Sequence, residues 1–485
     1  MTNDLHWMSA TELARAIQTR EVSSREALEC FLERVARLDG PINSVVTIDA
    51  PRARREADDA DTALARGEIR GPLHGVPMTV KDSFSTKGMR TTSGAPELSD
   101  HFPTEDAAPV ARLREAGAVI FGKTNLPIYA GDFQSYNQVF GTTNNPHDLS
   151  RSPGGSSGGS AAALACGFTP LELGSDIAGS IRFPSHMTGV VGHKPTYGIV
   201  PAHGQIPGPP GTLSQADLAV AGPMARTVED LALGLGLMSG PDRWNKPAWR
   251  LELPPARQSR LANYRIAVWS DDTHCPVDGD VKALIEGAAT KLAGAGAHID
   301  LDARPGFTLE RAALRFSQLL NAALAGGHDQ QEIERYAADT TPTPVGTIKR
   351  QTAMRHRDWL SANESRLQMR RKWEEFFDPE VGRGFDVLLC PVMPRTALPH
   401  DHTEPQGARV LTWAGQSRPY MDAIAWSAPA GGCFLPATVV PVGMASDGLP
   451  VGVQIIGPYL GDRTTLDVAA HLSAIFGPIP RPSGF

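Results

Sequence analysis

Apolar positions recur at helical spacing near the start of the chain. Leu28, Phe31, Leu32 and Val35 form one face, and they follow the Ser23-x-x-Glu26 pattern of a capped helix start. Ser9-x-x-Glu12 is a second such start, and residues 52–66, rich in Ala and in both charges, predict another helix with a solvated face. The N-terminal region therefore reads as helical, with no evident chemistry. After the Gly71-to-Gly75 turn, Val76–Val80 predicts a short strand ending at Lys81 and Asp82. Residues 104–117 predict a helix and 118–121 a strand, which together suggest a parallel unit. Thr227 opens a further helix through Leu237. Residues 240–262 lack a period and read as a surface connection.

A second strand–helix–strand pattern occupies 265–269, 281–292 and 297–301. Residues 307–377 are mostly helical with a break at Thr340–Pro344, and 386–391 is an apolar strand. The segments 436–442 and 449–456 flank Asp447-Gly448 as a hairpin, and 465–476 is a last helix. No repeat interrupts this order. The alternation of strands and helices over 1–485 predicts an α/β protein. Within it, 1–66 is a helical lead-in, 70–238 a core, 240–262 a surface connection and 263–485 the rest of the sheet, its helices and loops.

Composition narrows the class. The chain has 485 residues, 41% hydrophobic and 20% charged, which suits a globular protein with a large core. A net charge of -7 without a Lys/Arg-rich stripe argues against nucleic-acid or membrane partners. The five cysteines have no C-x-x-C spacing, which argues against a disulfide framework or a structural zinc site. The first nine residues lack the pattern of a secretory signal, and there is no run of 18 apolar residues. A cytoplasmic protein is the simplest expectation.

The chemistry concentrates in residues 151–184. Gly154, Gly155, Ser156, Ser157, Gly158, Gly159 and Ser160 form one Gly/Ser cluster. Gly174, Ser175, Asp176, Ile177, Ala178, Gly179 and Ser180 form a second, followed by Arg182 and Pro184. A phosphate-cradling loop needs a Walker or dinucleotide motif, and neither is present. Residues 155–159 match the G-x-S-x-G nucleophile elbow, but no Asp or His downstream is singled out to complete a triad. The remaining reading joins both clusters to Lys81. A neutral lysine deprotonates a serine, a second serine bridges them, and the backbone N–H groups of Ile177, Ala178, Gly179 and Ser180 hold an oxyanion.

These residues carry a family resemblance. Residues 154–163 match G-G-S-S-G-G-S-A-A-A, and 176–184 match D-x-x-G-S-I-R-x-P. Residues 192–196 resemble G-x-K-P-T. The segments around His74, Lys81, Gly122 and Leu449 match further landmarks. The chain thus resembles the amidase signature family along nearly its whole length. The resemblance implies one large domain over 1–485 with a mixed central sheet covered by helices. It also implies Ser180 as nucleophile, Ser156 as a relay held on a cis peptide, and Lys81 as the base. Ser157, Asp176 and Arg182 would hold the loops, with no metal and no cofactor. Lowering the Lys81 pKa from about 10.4 towards 7–8 corresponds to roughly 4 kcal/mol of environment.

The expected reaction is metal-independent amide hydrolysis of a small molecule. Carbamates (urethanes), esters and anilides share its chemistry and stay open, as does the choice between monomer and homodimer. The alternative of another class is the glutaminase subunit of a tRNA-dependent amidotransferase complex. Three positions depart from the family pattern: Ala178, His193 and the segment Pro127–Tyr129. The loop 202–215 and the segment 393–430 are expected to wall the substrate pocket, with Met393, Trp413 and Trp426 as either pocket or core. His400 and His402 read as a solvated loop.

Overall fold

The computed structural model describes residues 5–206 and 209–485. Residues 1–4 of the lead-in and 207–208 of the loop 202–215 lie outside the described residues.

Both early helix starts form as the sequence pattern predicts. Ser9 caps the helix Ala10–Gln18 and Ser23 caps Ser24–Leu38, each with a reciprocal glutamate three residues on. The carboxylate of Asp230 adds a cap from a distant helix, accepting from the Ala10 N–H at 2.8 Å and the Thr11 N–H at 2.9 Å. The lead-in is not wholly helical. Val45–Ile48 is a strand, β1, too short to show alternation in the sequence.

β1 belongs to a three-stranded sheet with β2 (Pro77–Lys81) and β3 (Val119–Thr124), in the order β1-β3-β2. β2 and β3 run parallel, with Lys81 opposite Thr124, and the helix Ala108–Glu115 makes the crossover. That helix is shorter than the 104–117 expected from the pattern.

The larger sheet has eight strands. They are β4 (Leu171–Asp176), β5 (Val191–Lys194), β6 (Val220–Ala225), β7 (Arg265–Val268), β8 (His298–Asp300), β9 (Val387–Pro391), β10 (Ala437–Met444) and β11 (Pro450–Ile456). Their order is β8-β7-β9-β11-β10-β5-β6-β4. β7 pairs in parallel with β8 and β9, and the other neighbours are antiparallel, so the sheet is mixed. The predicted unit at 265–301 and the hairpin around Asp447-Gly448 both lie here. β4, β5 and β6 carry no alternating pattern because both of their faces are buried. β6 even contains Pro223. Its ladder with β5 covers only Ala225 and Met224, which leaves Pro223 outside that pairing.

The two sheets meet along β2 and β4. Side chains make this junction, since the two strands belong to separate ladders. The Thr79 N–H, for example, donates to Thr169 Oγ1 at 3.2 Å. The helix Gly158–Ala165 packs over this junction with every residue buried. A Cβ on Gly159 would overlap the backbone of Asn125, just past β3. Close approach of helix and strand therefore requires glycine there.

Gly159→Ala is expected to cost ~1–3 kcal/mol, as overpacking does. Thermal melting checks this. An unchanged melting temperature would show that the helix does not bear on β3.

Candidate active site

Lys81 is the last residue of β2 and is fully buried at the junction of the sheets. Its Nζ lies 2.6 Å from Ser156 Oγ, 2.9 Å from Ser175 Oγ and 3.0 Å from Ser157 Oγ. Three hydroxyls are what an ammonium group needs for its three N–H bonds. A neutral amine can use the same shell, donating to two hydroxyls and accepting from the third. Burial pushes the Lys81 pKa down to about 7, against the opposing pull of Asp176 and Glu172.

The first Gly/Ser cluster delivers two of these hydroxyls. The Gly155–Ser156 peptide is cis. Ser157 is the N-cap residue of the helix Gly158–Ala165. Its N–H donates to the Ser180 carbonyl at 3.1 Å, which ties this cluster to the second one.

The second cluster begins inside β4 and turns sharply after Asp176. The Asp176 carboxylate holds the turn, accepting from the N–H groups of Gly179 at 2.8 Å and Ile181 at 3.1 Å. It also accepts from Arg182 Nη2 at 2.9 Å and Nε at 3.0 Å. Burial pushes this carboxyl up, but the Arg182 guanidinium outweighs that and holds it down at about 2. Arg182 is satisfied on its other side by Gln454 Oε1 at 2.7 Å and the Ser427 carbonyl at 3.1 Å. Asp176 and Arg182 thus form a buried pair that fixes the loop carrying Ser180.

The four expected oxyanion donors differ in availability. The Gly179 N–H is taken by Asp176. Among the described residues, the N–H groups of Ile177, Ala178 and Ser180 donate to no protein acceptor. Gly179 has φ +120°, and a Cβ there would overlap the ring of Phe183. The left-handed position falls on Gly179, so alanine at 178 is accommodated without backbone strain.

Ser180 retains 7% exposure, against 1% for Ser156 and none for Lys81. Of the three it is the side chain a substrate can reach. No hydrogen bond joins the Ser156 and Ser180 hydroxyls among the described residues.

Ser175 holds the lysine but was passed over in the sequence. Its signal is strand alternation, which turns it to the opposite face of β4 from Asp176. Ser157, the middle of the G-x-S-x-G match, bonds Lys81 rather than a histidine. His193 has a packing role, bonding Thr438 Oγ1 at 2.9 Å and Asp462 Oδ1 at 3.1 Å.

The pocket expectations change. Met393, Trp413 and Trp426 are buried in the main core. Residues Ala202, His203, Leu213, Ser214 and Gln215 line a cavity of about 310 Å³ together with Trp244 and Trp249, and Lys81, Ser156 and Ser180 do not line it. His400 and His402 are half-buried rather than solvated, and His402 stacks on Tyr136 at 3.7 Å between ring centroids. No helix among the described residues is long and apolar enough to cross a membrane.

Known proteins resemble this chain over nearly its full length. The family model described as Amidase matches residues 26–466. The chain is 35% identical to one component of the glutamyl-tRNA(Gln) amidotransferase of Acidothermus cellulolyticus, covering 98% of this chain and 95% of that one. It is 32% identical to an acylamidase of Rhodococcus erythropolis, covering 97% and 96%. The solved structure of a bacterial aryl acylamidase of the amidase signature family superposes with a TM-score of 0.82 at 25% identity, covering 98% of this chain and 97% of that one. The chain belongs to the amidase family and is an amide-hydrolysing enzyme.

Proposed function

We propose that the chain hydrolyses carboxylic amides of small molecules through an acyl-enzyme on Ser180, without a metal. The carrying observation is the buried Lys81 Nζ at 2.6 Å from Ser156 Oγ. A serine hydroxyl attacks only when a base removes its proton, and a lysine serves once neutral. Burial at the junction makes neutral Lys81 accessible near neutral pH.

Ser180 attacks the amide carbonyl. Its proton passes through the Ser156 hydroxyl to Lys81, because a hydroxyl donates and accepts at once. The developing oxyanion is stabilised by the N–H groups of Ile177, Ala178 and Ser180. Lys81, now an ammonium, returns the proton through Ser156 to the leaving nitrogen. Water then attacks the Ser180 ester with the same groups acting as base, which frees the acid. Asp176 and Arg182 act on the loop geometry and stay out of the proton path.

Carbamates, esters and anilides pass through the same tetrahedral oxyanion, so the machinery admits them. A second reading is favoured by the 35% identity to the amidotransferase component. In it the chain releases ammonia from glutamine for use by partner proteins. Turnover of a substrate panel separates the two. The amidase reading expects turnover of amides or anilides by the purified chain alone, and the other expects glutaminase activity that depends on added partners.

Ser180→Ala is expected to lower kcat/KM by at least ~1,000-fold, while thermal melting stays within a few degrees. Retained turnover in that variant would remove Ser180 as the nucleophile. The base must be unprotonated, so kcat/KM of the wild type rises with pH through about 7. Lys81→Met is expected to lose ~100-fold or more at the plateau and to lose this rise. A rise that survives the substitution would assign it to another group.

A further inference from the structure

Gln454 stands inside β11, paired with Cys390 of β9 on one side and Val439 of β10 on the other. Its strand neighbours Val451, Val453, Ile455 and Ile456 are apolar and fully buried, and Gln454 is buried to the same degree. An amide in such a place costs free energy unless its donors and its acceptor are used. Here they are. Oε1 accepts from Arg182 Nη1 at 2.7 Å. Nε2 donates to the Trp426 carbonyl at 3.0 Å and the Pro391 carbonyl at 3.3 Å, with Cys390 Sγ beside them at 3.2 Å.

The partners of this amide lead to the nucleophile. Arg182 turns Nε and Nη2 to the Asp176 carboxylate and Nη1 to Gln454 and the Ser427 carbonyl. A guanidinium bonds in one plane, so it meets both oxygens of a carboxylate only when that plane is fixed. Gln454 fixes it from an interior strand of the larger sheet. Asp176 in turn accepts from the N–H groups of Gly179 at 2.8 Å and Ile181 at 3.1 Å, the residues on either side of Ser180. Every link from β11 to the Ser180 turn is thus a hydrogen bond between buried groups.

The residue type matters as well as the contact. An amide oxygen orients the guanidinium and carries no charge of its own. Asp176 is the only carboxylate bonded to Arg182 among the described residues. A second carboxylate at 454 would compete for the same cation. The amide also ties the turn to the short helix Tyr420–Ser427, since Gln454 and Arg182 bond the two successive carbonyls at its end.

We propose that Gln454 is a positioning residue for Ser180: its amide sets the plane of the Arg182 guanidinium and, through Asp176, the placing of the Ser180 hydroxyl and the N–H groups beside it. The inference rests on the reading of Ser180 as the nucleophile. Gln454 touches neither substrate nor the proton path in this account. Its loss therefore acts on the chemical step and not on capture of the substrate.

The test is labelling of Ser180 by a fluorophosphonate, with the rate separated into its limiting value and the half-saturating concentration. The phosphoryl oxygen of the adduct takes the place of the oxyanion, so the limiting rate reads the geometry of the turn and needs no known substrate. Gln454→Met keeps the length of the side chain and removes both polar functions. The expected result is a limiting rate about tenfold or more lower, with the half-saturating concentration within about twofold and thermal melting within a few degrees. In an Arg182→Lys background the same substitution should cost less than about threefold, because the fork through which Gln454 acts is gone. Equal limiting rates in wild type and Gln454→Met, or losses that multiply in the double variant, overturn the inference and leave Ser180 as the nucleophile. A wild type that is unlabelled, or labelled on another serine, overturns both. Gln454→Asn covers a Met variant that does not fold. It keeps an amide at the position but is one methylene short of Arg182, so the same loss is expected, and a wild-type limiting rate contradicts the proposal.

Discussion

A lysine amine cut off from bulk solvent must find its partners inside the protein, and the centre of this structure is built on that constraint. Lys81 sits where a three-stranded and an eight-stranded sheet meet without a shared backbone ladder. Its neighbours are Ser156, Ser157 and Ser175, drawn from two chain segments. Hydroxyls suit this place because each can donate or accept, so the shell fits the ammonium and the amine alike. A carboxylate in direct contact would lock the lysine as a cation and end its use as a base.

The surrounding charges follow from the same constraint. Asp176 is ionised, yet its negative charge is absorbed by Arg182 and by the N–H groups of the loop it organises. That pairing lets one carboxylate shape the nucleophile loop, while its charge still pulls the Lys81 pKa upward against burial. Glu172 has no such partner and carries hydroxyls instead. Two carboxyls four residues apart on one strand thus have different environments and different protonation. The loop geometry then depends on glycine at one point. Gly179 takes the left-handed turn that Phe183 would otherwise block, and Ala178 beside it is free to be a non-glycine residue.

Much of this was legible in the sequence, but unevenly. The capped helices, the parallel unit at 77–124 and the hairpin at Asp447-Gly448 announce themselves because period, caps and turn residues agree locally. The Gly/Ser clusters and Lys81 stand out through composition and family resemblance, and the structure brings them together. β4, β5 and β6 were silent because strands buried on both faces lose alternation, and Pro223 argues against a strand that its position tolerates. Ser175 was hidden for a related reason, since its face is visible only once β4 is known to be a strand. The commitment of the Gly179 N–H to Asp176 depends on the backbone of a turn, which residue types do not encode. The loop 202–215, expected to wall the pocket, pairs with residues 83–85 just past Lys81 and also lines a cavity with Trp244 and Trp249. Nothing in a local stretch specifies which distant element will pack against it.

The central claim is that Lys81, in its unprotonated form, activates Ser180. Covalent labelling by a serine-directed phosphonate tests it without knowledge of the substrate. The adduct should map by peptide mass to Ser180, and the labelling rate should rise with pH through about 7. An adduct on another serine, or a labelling rate at Ser180 that is independent of pH between 5 and 9 (about two units either side of that value), would contradict it.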